Sequence, residues 1–483
     1  MPIHLELHRR EPSGISSTSA SHAAVRRARA RPGLTEGEIA HLFEALRHGR
    51  VPERGIGALA VGLDRELDEM ERQLALAESG AGGLKFIRGG YGCGKTFLAR
   101  LVLQKAQAKG FATSFIVVSE SDLKLHRLGD VYRKLMSELS TPSCSRGAFG
   151  AILREWLATF EGKGLGSPKK PRKQMAPRNA LDEALDRELE SLSRREVPHD
   201  FLRGLRSYVE CVRSGERARE NAIVSWLTGS ESVSAPEKSG AGIKGDLKSG
   251  DALQNLRGVV EIVRAAGYSG MVAVIDEAET ILRMRSDARH ASLSALRQIA
   301  DASGSYPGML WIVTGTPQFF DSKYGVAGLR PLHDRIHFLT CSGYASARQA
   351  QLELRPFDAK RLEALAMHLR ALYPSKAPKH YERTISEAFI ERLIEKYASG
   401  IRSEVGIVPR HFLRELITHF DLADEYEAYA PWTEEHITQN PPRSEATSGK
   451  ADRSHSDRFL HHEAREVREP QRSETHEMHE AVW

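Results

Sequence analysis

A chain of 483 residues with 40% hydrophobic side chains is long enough for two or three packed domains with ordinary cores. No apolar run approaches the roughly 20 residues that span a bilayer, and four scattered cysteines (Cys93, Cys144, Cys211, Cys341) without C-x-x-C spacing indicate neither a zinc cage nor a disulfide scaffold. That cysteine usage fits a reducing cytoplasm, and a formal net charge of +5 neither demands nor excludes nucleic acid.

Residues 1–33 carry Arg9, Arg10, Arg26, Arg27, Arg29 and Arg31 and lack the apolar core of a secretory signal, so they read as a disordered basic extension. Thr35 and Glu38 then form a candidate capping box before an amphipathic helix with Ile39, Leu42, Phe43 and Leu46 on one stripe. A second helix over residues 60–76 leads to an apolar strand containing Leu84, Phe86 and Ile87.

Residues 89–96 read GGYGCGKT, a complete G-x-x-x-x-G-K-T phosphate-binding loop between that strand and an apolar helix over 97–103. The chemistry needs this pattern. Gly89, Gly90, Gly92 and Gly94 let backbone N–H groups curl around phosphate oxygens, with Tyr91 and Cys93 between them. Lys95 supplies a point charge to the outer phosphates and Thr96 a hydroxyl to Mg2+, while the following helix points its positive end at the same anions. Cys93 reads as a small spacer, with no His or second Cys near it in sequence.

Residues 111–119 (FATSFIVVS) complete a βαβ unit. The next stretch, 120–267, is dominated by helical patterns and reads as an inserted helical subdomain. Two loops interrupt it: residues 162–178, with Lys163, Lys169, Lys170, Arg172, Lys173 and Arg178, and residues 229–250, rich in Ser, Gly and Lys. Residues 271–277 (MVAVIDE) then read as a buried parallel strand whose carboxyl end places Asp276 and Glu277 beside the phosphate loop. Asp276 is expected to hold Mg2+ and Glu277 to orient and deprotonate the attacking water. A third strand over 309–314 ends at Thr314-Gly315-Thr316, where a polar side chain would face the terminal phosphate. Arg330 and Arg335 lie in residues 329–339 at a helix-to-strand transition, residues 352–357 read as an edge strand, and three helices form a lid. From residue 438 the chain reads as a polar tail.

The order of these parts resembles the AAA+ ATPases, particularly their origin-recognition and signal-transducing branches. More specifically, residues 54–67 (RGIGALAVGLDREL), 87–100 (IRGGYGCGKTFLAR), 274–283 (VIDEAETILR), 295–301 (ALRQIAD) and 314–321 (TGTPQFFD) together resemble the ATP-binding protein of BREX phage-resistance systems, the BrxD family, over residues 34–424. The resemblance implies an α/β P-loop NTPase with a parallel sheet, a helical insertion and a C-terminal helical lid. Its expected segments are 1–33, 34–119 and 268–356 for the extension and two core halves, 120–267 for the insertion, 357–437 for the lid and 438–483 for the tail. It implies ATP and Mg2+ as cofactors, and a helicase, a DNA methyltransferase and a phosphatase-like protein as partners. DNA and further copies of the chain are also candidate partners. It makes Thr314 or Thr316 the first sensor, where many members carry Asn, Arg335 or Arg330 the finger for a neighbouring subunit, and Arg410 the second sensor.

Two other readings stay open. Residues 276–279 (DEAE) match the acidic motif of a helicase, but no Q-x-x-G-R-x-x-R run follows to serve a second motor domain. An ATP-bound scaffold that scarcely turns over is the non-enzyme alternative, against which Lys95, Thr96, Asp276 and Glu277 all stand intact.

Overall fold

The computed structural model describes residues 34–163, 178–240, 242–243, 245–246, 249–399 and 409–431. The basic extension, most of the basic loop over 162–178 and the polar tail lie outside them. In chain order the described elements begin with α1 (Glu36–Arg47), α2 (Asp64–Glu78), β1 (Gly83–Arg88), α3 (Lys95–Ala108) and β2 (Phe111–Val117). Next come α4 (Leu128–Ser137), α5 (Phe149–Lys163), α6 (Arg178–Arg194), α7 (His199–Ser214), α8 (Arg217–Leu227), α9 (Ala235–Gly240) and α10 (Ala252–Ala265). The chain returns to the sheet with β3 (Gly270–Asp276), α11 (Ser286–Ala302), β4 (Met309–Gly315), α12 (Pro317–Asp321), α13 (Arg330–Ile336) and β5 (Gln351–Glu353). It finishes with α14 (Ala359–Leu372), α15 (Pro378–Thr384), α16 (Glu387–Ser399) and α17 (Pro409–Glu425).

The five strands form one parallel sheet in the order β2-β3-β4-β1-β5. Because side chains alternate across a strand, Met271, Ala273 and Ile275 of β3 face one layer of helices and Val272 and Val274 the other. The first layer contains the insertion. Ile116, Met271 and Ile275 share one continuous apolar cluster with Leu135, Phe149, Trp156, Phe201, Tyr208 and Trp226, so the helices between β2 and β3 are built onto the sheet. The opposite layer is α2 and α3, with Met70, Leu74, Leu98 and Val102 buried on Ile87, Leu310 and Ile312. A P-loop α/β fold with a parallel sheet covered on both faces is what the sequence pattern implies.

A separate apolar cluster holds the lid, and it contains α1. Leu42, Phe43 and Leu46 pack with Leu365, Leu369, Phe389, Leu393, Leu416 and Phe420. Arg47 Nε and Nη2 donate to Asp421 Oδ2 and Oδ1, both at 2.8 Å, in a fork that fixes α1 against α17. The expected segment 34–119 keeps this helix with the phosphate loop; its apolar stripe is instead buried by helices from the far end of the chain. The capping box at its start is formed, with Thr35 N–H donating to Glu38 (2.9 Å) and Glu38 N–H to Thr35 Oγ1 (3.3 Å).

Other differences have local causes. Helix α2 begins at Asp64, not at residue 60, because Gly62 takes a left-handed φ of 67°, which a right-handed helix cannot contain. The edge strand is three residues long because its neighbour β1 ends at Arg88, opposite Glu353, and Pro356 has no N–H to carry the ladder on. The lid has a fourth helix, α15, opened by Pro378 at its first position. The loop over 229–250 holds α9, started by a Ser234–Glu237 capping box.

Candidate functional site

At the carboxyl end of β1 the chain folds back over the sheet. Gly89 N–H donates to Gly315 O (3.2 Å), tying the loop to the tip of β4. Gly94, the residue before α3, has φ +93°, a conformation that side-chain-bearing residues rarely adopt. Lys95 is buried, and its Nζ donates to the carbonyls of Gly89 (3.0 Å) and Gly90 (3.2 Å). Tyr91 is 65% exposed, with its ring centroid 5.5 Å from Lys95 Nζ. Cys93 is buried, and burial pushes its thiol up, away from the nucleophilic form.

The two motifs meet at Asp276. Its Oδ2 accepts from Thr96 Oγ1 (2.8 Å) and its Oδ1 from Thr314 Oγ1 (2.5 Å), across sequence separations of 180 and 38 positions. Glu277 N–H then donates to the same Thr314 hydroxyl (3.1 Å). A hydroxyl is donor and acceptor on one atom, so Thr314 links carboxylate to backbone where Asn would use its carbonyl and amide. Glu277 itself has φ 57° and ψ 41°. Such left-handed backbone in a residue with a side chain costs about 1–3 kcal/mol and redirects the chain in a single residue, leaving the Glu277 side chain exposed.

Thr96 and Asp276 put two hard oxygen donors side by side. Mg2+ takes such a set together with phosphate oxygens rather than a dedicated protein cage, so the residues present fit that ion. Among the described residues no group of three or more His, Cys, Asp or Glu could hold a metal by itself.

The remaining candidates lie further out. Thr316 is buried but caps α12, accepting from Phe319 N–H (3.4 Å), and Asp321 at the end of α12 pairs with Arg88 (2.8 Å). Arg330 opens α13 with its side chain 91% exposed and Asp334 at 3.8 Å. Arg335 is half-exposed and bonds Asp301 Oδ1 (2.6 Å) and Pro331 O (2.6 Å). Arg410 is exposed at the start of α17, where its Cγ lies 3.3 Å from the position of a β-carbon on Gly49, past the end of α1.

Glu279 was not among the residues expected from sequence. The 3-10 turn Ala278–Arg283 buries it with Oε1 3.6 Å from Lys95 Nζ and Oε2 without a partner. Burial pushes its carboxyl up, opposed by Lys95 and reinforced by Asp276 and Glu277. The signal was the last letter of DEAE, read only as part of a helicase motif. A cavity of about 1010 Å³ lies elsewhere, beside the segments entering β3 and β4, lined by Trp156, Glu261, Arg264 and Tyr268. It includes none of these residues.

A profile of the family described as BREX system ATP-binding protein BrxC/D matches residues 35–440. Among solved structures, "Structure of Drosophila ORC bound to DNA" aligns with 87% of this chain and 70% of that chain, at 11% identity and a TM-score of 0.33. "Structure of the Aeropyrum Pernix ORC2 protein (ADPNP-ADP complexes)" aligns with 73% and 66%, at 12% identity and 0.29. Both scores are too low to carry weight. No curated protein matches the chain. Among the described residues no helix is long and apolar enough to cross a membrane.

Proposed function

The chain belongs to the BREX system ATP-binding protein BrxC/D family, and on that premise we propose that it hydrolyses ATP held on residues 89–96, with Glu277 as the general base. The observation that carries this reading is the unbroken hydrogen-bond chain Thr96–Asp276–Thr314–Glu277 at the mouth of the loop. In this scheme Lys95 leaves the carbonyls of Gly89 and Gly90 for the outer phosphates, and the N-terminus of α3 faces the same anions. Thr96 and Asp276 would hold Mg2+, which when bound neutralises charge on the phosphates. Glu277 accepts a proton from water as the water oxygen bonds the γ-phosphorus; the bond to the bridging oxygen breaks, leaving ADP and phosphate. Thr314 fixes the Asp276 carboxylate against the Glu277 backbone, so the base keeps its place relative to the phosphates.

The finger is assigned to α13. Its Arg330, nearly fully exposed, is better placed to reach a neighbouring copy than Arg335, which Asp301 holds. Turnover then requires assembly. Arg410 as second sensor is carried by its place on the lid. The arginines of residues 1–33 and the lysines and arginines of residues 162–178 are candidate contacts to a DNA backbone. The working role is a nucleotide-driven switch, DNA remodeller or helicase loader acting with other defence proteins.

Steady-state ATP hydrolysis by wild type and Glu277→Gln, with and without duplex or single-stranded DNA and across protein concentration, tests this. DNA-stimulated turnover that rises faster than linearly with protein and disappears in the variant is expected. A low, DNA-insensitive rate equal in both proteins would overturn the hydrolytic reading in favour of an ATP-bound scaffold.

A further inference from the structure

The lid enters next to the phosphate loop. Leu354, just past β5, donates its N–H to Arg88 O (2.8 Å), and its Cβ and carbonyl oxygen each lie 3.2 Å from where a β-carbon on Gly89 would stand. Seven residues later Arg361 occupies the first turn of α14, its backbone N–H capped by Asp358 Oδ1 (2.8 Å). Its guanidinium carbon sits 4.4 Å from the ring centroid of Phe357. Against its stem lies Gly62, with φ +67°, where a β-carbon would come within 2.9 Å of Arg361 Nε; only glycine lets the cation settle there. On the loop side, Arg361 and Lys95 are the two cations that oppose the burial-driven rise of the Cys93 thiol. Phe97, two residues past Lys95, and Val61 of the linker before α2 pack against the same lid cluster as Phe357, so loop, linker and the first turn of α14 come together around this cation.

That charge is incompletely partnered. Arg361 Nε and Nη2 are both buried, and neither donates to any described group. A buried N–H without an acceptor is unfavourable, and a cationic one more so; the Phe357 ring offsets only part of the loss. The two free donors sit on a planar fork whose geometry matches paired oxygens of a phosphate, and they lie next to the segment whose backbone is shaped for phosphates.

We infer that Arg361 is a nucleotide-binding residue, its free Nε–H and Nη2–H completed by oxygens of the phosphate chain of a nucleotide bound on residues 89–96 of the same subunit. The inference rests on the reading of that loop as the ATP site. It gives the lid a direct contact with the ligand from the first turn of α14, on a different helix from Arg410. Nucleotide binding then supplies acceptors for both donors, and the lid is held to the core through the ligand.

The test compares full-length wild type, Arg361→Met, Arg361→Lys and Lys95→Ala, by thermal melting with and without Mg-ATP and by calorimetric titration of Mg-ATP. Arg361→Met keeps the apolar stem and removes the unpartnered donors, so its melting temperature without nucleotide is expected to equal or exceed that of wild type. Its Kd for Mg-ATP is expected to rise about tenfold or more, with a matching loss of nucleotide-induced stabilisation and partial rescue in Arg361→Lys. A Kd within threefold of wild type overturns the inference, as does a variant that melts lower when empty and loses nothing further when ATP is added, which is what a purely structural arginine would show. If wild type itself shows no ATP binding that depends on Lys95, the loop reading fails first, and the inference falls with it.

Discussion

The tips of β3 and β4 and the helix α13 follow one another closely in sequence yet treat polar groups in opposite ways. At the tips, Asp276 and Thr314 are bonded to each other, and Asp276 also to Thr96 at the start of α3. On α13, Arg330 reaches into solvent and Arg335 rests on the part-exposed Asp301 and on the Pro331 carbonyl of its own helix. In the proposed reaction the Asp276 carboxylate and the Glu277 backbone, which must keep register with the phosphates, are held in place by the fold. An exposed cation on α13 can reach a neighbouring copy, which is the role proposed for Arg330.

The comparison can be broken most decisively at the loop. Lys95→Ala is expected to remove nucleotide binding altogether in a calorimetric titration; retained binding would mean that the preformed side of the comparison is not a phosphate site. Glu277→Gln should still bind ATP while turnover falls by roughly 100- to 10,000-fold, read in the same preparation by titration and phosphate release. Next in size, Arg330→Ala should lower turnover by about 1,000-fold or more at concentrations where subunits assemble, with an unchanged melting temperature. Arg335→Ala should lose only an exposed ion pair, about 0–1 kcal/mol; if Arg335→Ala is the variant that stops turnover, the assignment within α13 reverses. Thr314→Val should cost about 1–3 kcal/mol in urea unfolding, because Glu277 N–H loses its acceptor inside the protein, and Thr314→Asn should recover part of it.

A test at acid pH asks whether preformed pairing extends below the site. Glu69, buried on α2, accepts from Lys85 Nζ (2.7 Å), Arg72 and Gln73. Burial pushes its carboxyl up, but these donors outweigh it and hold it at about 2, below the ordinary 4.5. A carboxyl depressed in the folded state contributes its stability in full above about pH 4.5 and loses it as pH falls towards 2. The urea midpoint should therefore fall across that window in wild type and less steeply in Glu69→Gln.

How much of this could be read from the sequence depended on how local each feature is. The phosphate loop and the pair Asp276 and Glu277 are contiguous strings whose chemistry constrains every letter, and the periodicity of residues 36–47 fixed a helix with a buried face. That periodicity does not say what buries the face. The partner is a lid made hundreds of residues later, which no window on the sequence contains. Glu279 and Arg361 escaped for the same reason, since the first acquires meaning only when a 3-10 turn sets it against Lys95 and the second only when the lid cluster gathers Phe357 and Phe97. Helix α9 was hidden differently: its capping box was present in the letters, but the surrounding Ser, Gly and Lys gave the composition of a loop.

The union of α1 with α17 also bears on how the chain is made. The Arg47–Asp421 pair spans 374 positions. At roughly 5–20 residues per second, a ribosome needs about 20–75 s to travel that distance. Throughout that interval Leu42, Phe43 and Leu46 have been synthesised without the surface that finally covers them. Until the last helix emerges, that stripe lacks the apolar surface that finally covers it.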